Sequence, residues 1–396
     1  MNAKSISKQQ RSRLNSICPY YTMYPLEFPF FHLRLAKRGD RVLDPFCGRG
    51  TTNFAARLRG LRSVGIDSNP VAVAVAAAKF QEVNAERVIA LCERILKRGG
   101  SVRLPSGAFW RLCFHRKTLG DICRLRNALL RDCSTGDRIV LRALLLGALH
   151  GPILKTTVSY LSNQMPRTYA TKPESAVRFW RKRRMRPKQV DVLGVLRRRL
   201  AAHTETPAAV SGRVLEADSR DLGGFKLGGK FGWIITSPPY LGMRTYNSDQ
   251  WLRNWFLGGP ERPDYGNLRQ LGQGSREKFV ADLAKVWKGA ARHAAPGARL
   301  IVRFGSLPSR DIGTAEILKK SIRDAGAGWK ITAIVPAGNA SDGHRQVHQF
   351  GVRTKRVVEE IDLHALFLPQ PNVRPGKART AQGRDSRTHG GRRRAS

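Results

Sequence analysis

The sequence predicts an α/β protein built on a doubly wound, mostly parallel sheet. Three observations carry that expectation. Short runs rich in Val, Ile and Leu alternate with stretches of helical periodicity. The first of these runs leads directly into a glycine-bearing loop that opens a helix, "DPFCGRGTT" (44–52). A later run, "WIITSPPY" (233–240), stops at two prolines, which cannot donate to a sheet ladder and so end the strand abruptly.

The elements follow in order. "RVLDPF" (41–46) is the first strand and "TTNFAARLRG" (51–60) the helix after the glycine loop. "RSVGID" (62–67) is the second strand, and "PVAVAVAAAKF" (70–80) carries proline at its first turn, where a helix tolerates it. The strand series continues with "GRVLEAD" (212–218), "GWIIT" (232–236), "ARLIVRF" (298–304), "KITAIVP" (330–336) and "HQFGVRT" (348–354). A helical pattern, "FVADLAKVWKGAARHA" (279–294), lies between the fourth and fifth. Only "AGNASDGHRQ" separates the last two, so they are expected to pair as a hairpin and give the sheet an antiparallel edge strand. Residues 81–210 interrupt the alternation with helical stretches such as "AERVIALCERILKR" and "VLRALLLGALHG". The expected organisation is a catalytic domain of residues 1–80 and 211–360, a mainly helical, basic insertion of residues 81–210, and a disordered basic tail of residues 361–396.

Charge narrows the partner. Against 29 Asp and Glu stand 71 Lys and Arg, a formal net charge of +42 over 396 residues. Such an excess repels itself in a compact state and points to a polyanion. A GC-rich genome would also enrich arginine, but residues 167–199 concentrate twelve Lys and Arg against two acids, with Tyr169, Phe179 and Trp180 interleaved. A solvated helix face would mix signs, so this stretch is expected to face nucleic acid and, within the insertion, to take part in target recognition. Arg167, Arg181, Arg183, Arg184 and Arg244 are the candidate contacts. The six cysteines form no C-x-x-C pair and read as reduced thiols, with no metal site implied. The chain opens on a polar, basic stretch without an apolar segment behind it, and its most apolar windows are short or carry Arg142 and His150. A soluble cytoplasmic protein is expected, with no membrane association.

The glycine loop has the context in which such loops bind ligands. Gly48 and Gly50 remove side chains where a ligand approaches the backbone, and the following helix start, at Thr51, presents free N–H groups. Half of such loops are only tight turns, but Asp67 ends the second strand about twenty residues on, where a carboxylate can hold ribose hydroxyls. Asp218, followed by Ser219, ends the third strand, where an acid can accept from an adenine amino group. Asp44 would repel a diphosphate, and the third spaced glycine of a dinucleotide fingerprint is missing. A cationic nucleoside, S-adenosylmethionine, suits this acid better.

"DPFCGRGTT" together with "TSPPY" resembles the amino-methyltransferases of DNA, which modify N4 of cytosine or N6 of adenine. The upstream "YYTMYPLEFPF", with Tyr21 and Met23, is similar to the segment that closes over the methionine end of the cofactor in that family. The resemblance covers residues 20–80 and 212–355 and departs from the family in the 130 or so residues between the second and third strands. It implies a Rossmann-like S-adenosylmethionine-dependent methyltransferase sheet, with Asp44, Pro45, Phe46, Gly48, Gly50, Thr51, Asp67, Asp218 and Ser219 around the cofactor. It implies double-stranded DNA as substrate and a cognate restriction endonuclease, acting independently, as a companion such enzymes can have.

In that family an exocyclic amino group, a poor nucleophile because its lone pair is delocalised, is surrounded by acceptors. The resemblance assigns these to the Ser237 side chain and the Pro238 carbonyl, with Pro239 stiffening the corner and Tyr240 offering a ring to a flipped base. Ser at the first position goes mostly with N4 of cytosine, and Asp or Asn with N6 of adenine. Neither a Pro-Cys dipeptide nor Glu-Asn-Val is present, as a cytosine-C5 enzyme would require. Three alternatives stay open: N6 of adenine, a guanine-N2 methyltransferase of tRNA, and a DNA-binding protein without activity. Trp251 and Trp255, four apart, fit either the base pocket or a helix face packed on the sheet.

Overall fold

The structure, a computed structural model, describes residues 15, 17–18, 20, 24–152, 159–165, 172–201, 210–241, 250–264, 271–272, 274–305, 313–339 and 359–369. The helix α1 (Glu27–His32) precedes β1 (Arg41–Asp44), α2 (Thr51–Leu58), β2 (Arg62–Asp67) and α3 (Pro70–Ala77). The insertion follows as α4 (Ala85–Lys97), α5 (Ala108–Cys113), α6 (Arg116–Arg131), α7 (Gly136–Ala148), α8 (Pro173–Lys182) and α9 (Val192–Leu200). The sheet resumes with β3 (Gly212–Glu216), a 3-10 turn (Ser219–Gly224) and β4 (Phe231–Thr236), then α10 (Trp251–Phe256), α11 (Arg276–His293), β5 (Ala294–Gly305), α12 (Thr314–Ala325), β6 (Trp329–Asn339) and β7 (Glu359–Phe367).

The strands form a single seven-stranded sheet in the order β3-β2-β1-β4-β5-β7-β6. All described pairs from β3 to β5 are parallel, whereas β7 runs antiparallel to both β5 and β6. Alternate residues feed two layers. Val42, Trp233, Ile235 and Ile301 pack with Phe28 and Leu33 of the α1 region and Phe54 of α2. Leu43, Ile234, Leu300 and Val302 face Phe279, Leu283 and Trp287 of α11 and Leu318 of α12. Helices on both faces of a mostly parallel sheet are the doubly wound, Rossmann-like arrangement that the alternation predicts.

The edge differs from expectation. The antiparallel strand is β7, and it lies inside the sheet between β5 and β6, leaving β6 at the edge. The segment 348–354, expected as the last strand, lies outside the described residues. Strand β7 runs on past residue 361, the expected start of the basic tail. Its alternation is readable in retrospect: Leu363 and Ala365 enter the α11 layer, while Glu360 and Asp362 are buried on the other face. Charged residues on one face disguised a central strand as a polar tail. One of those charges is compensated directly, since the Arg303 guanidinium donates two hydrogen bonds of 2.7 Å to the Asp362 carboxylate.

The insertion is helical, and its core is continuous with two elements of the sheet domain. Trp110, Phe114, Leu144 and Trp180 pack with Ala74 and Val75 of α3 and with Trp251, Trp255 and Phe256 of α10. The two tryptophans therefore form a helix face, but against the insertion rather than the sheet; Trp110 and Trp255 ring centroids are 4.5 Å apart. Among the described residues no helix is long and apolar enough to cross a membrane.

Removing one partner of a buried ion pair strands the other charge. Asp362→Ala should destabilise the fold by about 3 kcal/mol, the low end for such pairs because Glu360 also faces Arg303. Arg303→Met combined with Asp362→Leu should recover most of that loss, as read from urea unfolding midpoints.

Candidate active site

The parallel register determines what meets at the rim of the sheet. Leu43 of β1 pairs with Ile234 of β4, so Asp44 and Thr236 leave their strands side by side. The Thr236 hydroxyl donates to Asp44 Oδ1 at 2.6 Å, and the Phe46 amide donates to the same oxygen at 3.1 Å. Tyr24, just upstream of α1, donates its hydroxyl to Asp44 Oδ2 at 3.2 Å and is also hydrogen-bonded to the Thr52 hydroxyl. Asp44 has no exposed surface. Burial pushes its carboxyl up to about 6, and these hydrogen bonds oppose the rise.

The glycine loop is held from the opposite side by β2. Asp67 accepts from the Gly48 amide and from the Asn69 amide, both at 2.9 Å. Its carboxyl too is pushed up to about 6 by burial, against the pull of those amides. Asn69 caps α3 by accepting from the Val71 amide at 2.9 Å, and donates to the Tyr20 hydroxyl at 3.0 Å. Gly48 and Gly50 have φ of +50° and +78°, in the left-handed region that favours glycine. Among the described residues a Cβ on Gly48 would meet only the Tyr20 ring, at 3.9 Å. A Cβ on Gly50 would come within 2.9 Å of Ala76 Cβ and 3.0 Å of its Cα. That glycine lets α2 pack closely against α3.

The end of β3 joins the same rim. The Ser219 hydroxyl is hydrogen-bonded to the Pro45 carbonyl, and Phe46 packs at the margin of the α11 layer. The Asp218 carboxylate, expected to face a ligand, is engaged by Arg220, which also donates to Asp282 at 3.1 Å. Thr51 is buried at the start of α2. Tyr21 and Met23 lie outside the described residues.

The corner after β4 begins one residue beyond the Thr236–Asp44 bond. Ser237 is 7% exposed, and its hydroxyl oxygen is buried without a hydrogen-bond partner among the described residues. An unpaired buried hydroxyl costs free energy, so this oxygen is open to a further partner. Pro238 is buried and Pro239 half-buried. Tyr240 is 2% exposed, its ring edge-on to Phe304 with centroids 5.7 Å apart and its hydroxyl donating to Glu360 at 2.6 Å. Its phenol end is thus seated in the sheet. Neither Phe304 nor Glu360 was singled out from the sequence.

The basic residues divide. Arg181, Arg183 and Arg184 are exposed at the end of α8, whose opposite face buries Ala176 and Trp180. Arg199 is instead half-buried, donating to the Ser159 carbonyl and lying over the Tyr160 ring. Arg197 pairs with Glu93 at 2.6 Å. Arg167 and Arg244 lie outside the described residues. A cavity of about 230 Å³ between α4 and α6 is lined by Arg98, Arg124, Arg131 and Arg138, of which Arg124 is paired with Asp121 and Arg138 with Asp132. These arginines are spread along the sequence among apolar helix positions, and no run of charge betrays them. Among the described residues no group of three or more His, Cys, Asp and Glu could hold a metal ion. Burial pushes the Cys47 thiol, beside the glycine loop, well above its ordinary value, which leaves it a poor nucleophile.

Residues 3–79 match the model of a family described as DNA methylase, a span that includes the glycine loop and Asp67. Type II methyltransferase M.MjaII of Methanocaldococcus jannaschii is 30% identical over 82 residues, 20% of this chain and 16% of that protein. Type II methyltransferase M.BsoBI of Geobacillus stearothermophilus is 50% identical over 34 residues, 9% of this chain and 7% of that protein. The chain thus spans well under a fifth of either relative. Among solved structures, the rRNA methyltransferase aviRa of Streptomyces viridochromogenes aligns over 91% of this chain and 94% of its own, with 16% identity and a TM-score of 0.35. TrmN of Thermus thermophilus aligns over 91% of this chain and 53% of its own, with 13% identity and a TM-score of 0.34.

Gly60 offers a control for the loop, since its φ of +71° is similar but a Cβ there would meet nothing within 4 Å. Gly60→Ala should cost about 1 kcal/mol of backbone strain. Gly50→Ala should cost about 2–4 kcal/mol, because the methyl group must also displace α3. Chemical denaturation of both variants checks the difference.

Proposed function

We propose that the protein is an S-adenosylmethionine-dependent DNA methyltransferase that modifies the exocyclic N4 amino group of cytosine in duplex DNA, on a base flipped out of the helix. The observation that carries this reading is the buried, unpartnered Ser237 hydroxyl, one residue from the Thr236–Asp44 bond that ties the corner to the glycine loop. The family match over residues 3–79 and the net charge of +42 support the same substrate class.

The residues present fit the cofactor. Gly48 leaves room beneath Tyr20, and Asp67 puts a carboxylate beside that room, suited to ribose hydroxyls. Asp44 contributes negative potential near the methionine end, and Tyr21 and Met23 close that end in the family this chain resembles. Asp218 serves the adenine amino group only by sharing its carboxylate with Arg220. When bound, S-adenosylmethionine supplies a methyl group on a sulfonium, open to in-line attack.

The chain's own residues supply positioning and acceptors. Ser237 Oγ and the Pro238 carbonyl accept from the two N–H bonds of the target amino group, favouring its pyramidal form and freeing its lone pair. Two prolines in sequence keep that carbonyl from wandering. With the cofactor bound, these acceptors would hold the amino nitrogen in line with the methyl group, and the surplus amino proton would leave to solvent. No covalent enzyme adduct is required, in keeping with the buried, protonated Cys47. Arg181, Arg183 and Arg184 hold the DNA backbone. The protein acts in the cytoplasm, where such DNA is accessible, with or without a companion endonuclease. Ser rather than Asp or Asn at position 237 favours cytosine N4 over adenine N6.

Ser237→Ala should lower the single-turnover rate at least tenfold while leaving cofactor affinity within twofold, by calorimetry. Mass spectrometry of nucleosides from methylated DNA should yield N4-methylcytosine. N6-methyladenine would move the target base, and 5-methylcytosine or methylation of RNA alone would defeat the reading.

Arg181→Ala, Arg183→Ala and Arg184→Ala together should weaken DNA binding and flatten its salt dependence. Each lost phosphate contact removes about 0.9 from the log–log slope. An unchanged slope would make this surface merely solvated.

A further inference from the structure

We propose that Glu360 is a positioning residue for the Ser237–Tyr240 corner, and that it and Gly305 form a seat fixing the plane of the Tyr240 ring. The inference rests on the methyl-transfer reading above and extends it to β7, a strand outside every motif of the sequence.

Gly305 and Glu360 are direct partners across the antiparallel β5–β7 ladder. Tyr240 lands on that pair. Its hydroxyl donates to Glu360 Oε1 at 2.6 Å, and a Cβ on Gly305 would lie 2.9 Å from both Cζ and Oη of the phenol. Only glycine at 305 admits the ring at this height. Three contacts then determine the ring's attitude. The prolines at 238 and 239 restrict the backbone that carries it, Glu360 fixes its far end, and Phe304 lies against its edge, with centroids 5.7 Å apart. Phe304 is itself stacked on Phe279 of α11, centroids 5.9 Å apart, so the wall behind the tyrosine is rigid.

A carboxylate is an expensive way to fill such a place. Glu360 is 2% exposed, and an apolar residue would stabilise the sheet at lower cost. Its charge is compensated by Arg303, whose guanidinium faces Glu360 and Tyr240 as well as its own partner Asp362. Two alternate positions of β7 are thus acidic, Glu360 bonded to Tyr240 and Asp362 to Arg303. Because β7 is antiparallel, its first residues arrive at the rim where the parallel strands end, which no C-terminal strand of parallel sense would achieve. The arrangement fixes the tyrosine, and through it the backbone of the Ser237–Pro239 corner, so that little ordering remains when the target amino group arrives.

The test uses full-length protein, duplex DNA and S-adenosylmethionine. Glu360→Leu keeps the volume and removes the acceptor. It should lower the single-turnover rate of methyl transfer at least tenfold while cofactor affinity changes less than twofold. Glu360→Gln retains a carbonyl acceptor and should restore most of the rate. Tyr240→Phe should lose as much as Glu360→Leu, and the double variant no more than the worse single one, since both break the same contact. Gly305→Ala leaves the carboxylate untouched but fills the seat, and should show the same loss at unchanged cofactor affinity. Glu360→Leu at the wild-type rate, or losses that multiply in the double variant, would overturn the proposal while the methyl-transfer reading stands. A wild-type protein that transfers no methyl group to DNA would overturn both.

Discussion

The site depends on one buried carboxylate. Asp44 has no contact with solvent, yet it ends β1 at the rim of the sheet and accepts hydrogen bonds from three directions. A charge so buried is tolerable only when fully hydrogen-bonded, so each donor is held in place by the cost of leaving it. Tyr24 thereby binds the segment before α1, the Phe46 amide the glycine loop, and Thr236 the end of β4. Thr52, bonded to Tyr24, also reaches the Ile235 carbonyl at 3.3 Å, so the first turn of α2 is tied to the same strand end. The glycine loop and the proline corner are a single mechanical unit before any ligand arrives.

The sheet order explains why these parts meet. Strand order reverses between β1 and β4, the switch point at which a doubly wound sheet opens a crevice beyond its strand ends. One side of that crevice carries the glycine loop, held open by Asp67; the other carries Ser237 and the prolines. The antiparallel β7 brings a third element to the rim from the opposite direction. Of its buried acids, Asp362 is paired with Arg303 of β5, whose guanidinium also lies over the Phe28 ring at 4.0 Å. Both layers of the sheet are therefore coupled to the corner.

The insertion takes a structural part beyond its basic surface. Its core continues into α10, which follows the corner in sequence, and Leu257 at the end of α10 packs beside Tyr20 and beside Val71 and Ala72 of α3. Arg253 of α10 is buried, donating to the Leu146 carbonyl of α7 at 3.0 Å. The segment after the corner is anchored to the helical layer, while the corner itself is anchored to the sheet. DNA contact through the insertion would bear on the base-binding region through this shared core.

Local pattern was enough to determine the strands from β1 to β6, the helices α2, α3 and α11 beside them and the proline corner, because each has a period or a breaker that acts within a few residues. The glycine loop, Asp67 and Ser237 were legible for the same reason: positive φ, strand ends and double prolines are local constraints. Three matters needed tertiary structure. Strand β7 was hidden because its acidic positions become acceptable only beside Arg303, some sixty residues away in the chain. Trp251 and Trp255 read equally as pocket or packing until the insertion supplied the aromatic partners that bury them. Tyr240 presents the same corner motif whether its hydroxyl is free or seated, and only the register of β5 with β7, pairing Gly305 with Glu360, decides where it goes. Periodicity belongs to the chain, but the partner of a buried charge or hydroxyl is set by which distant strands lie side by side.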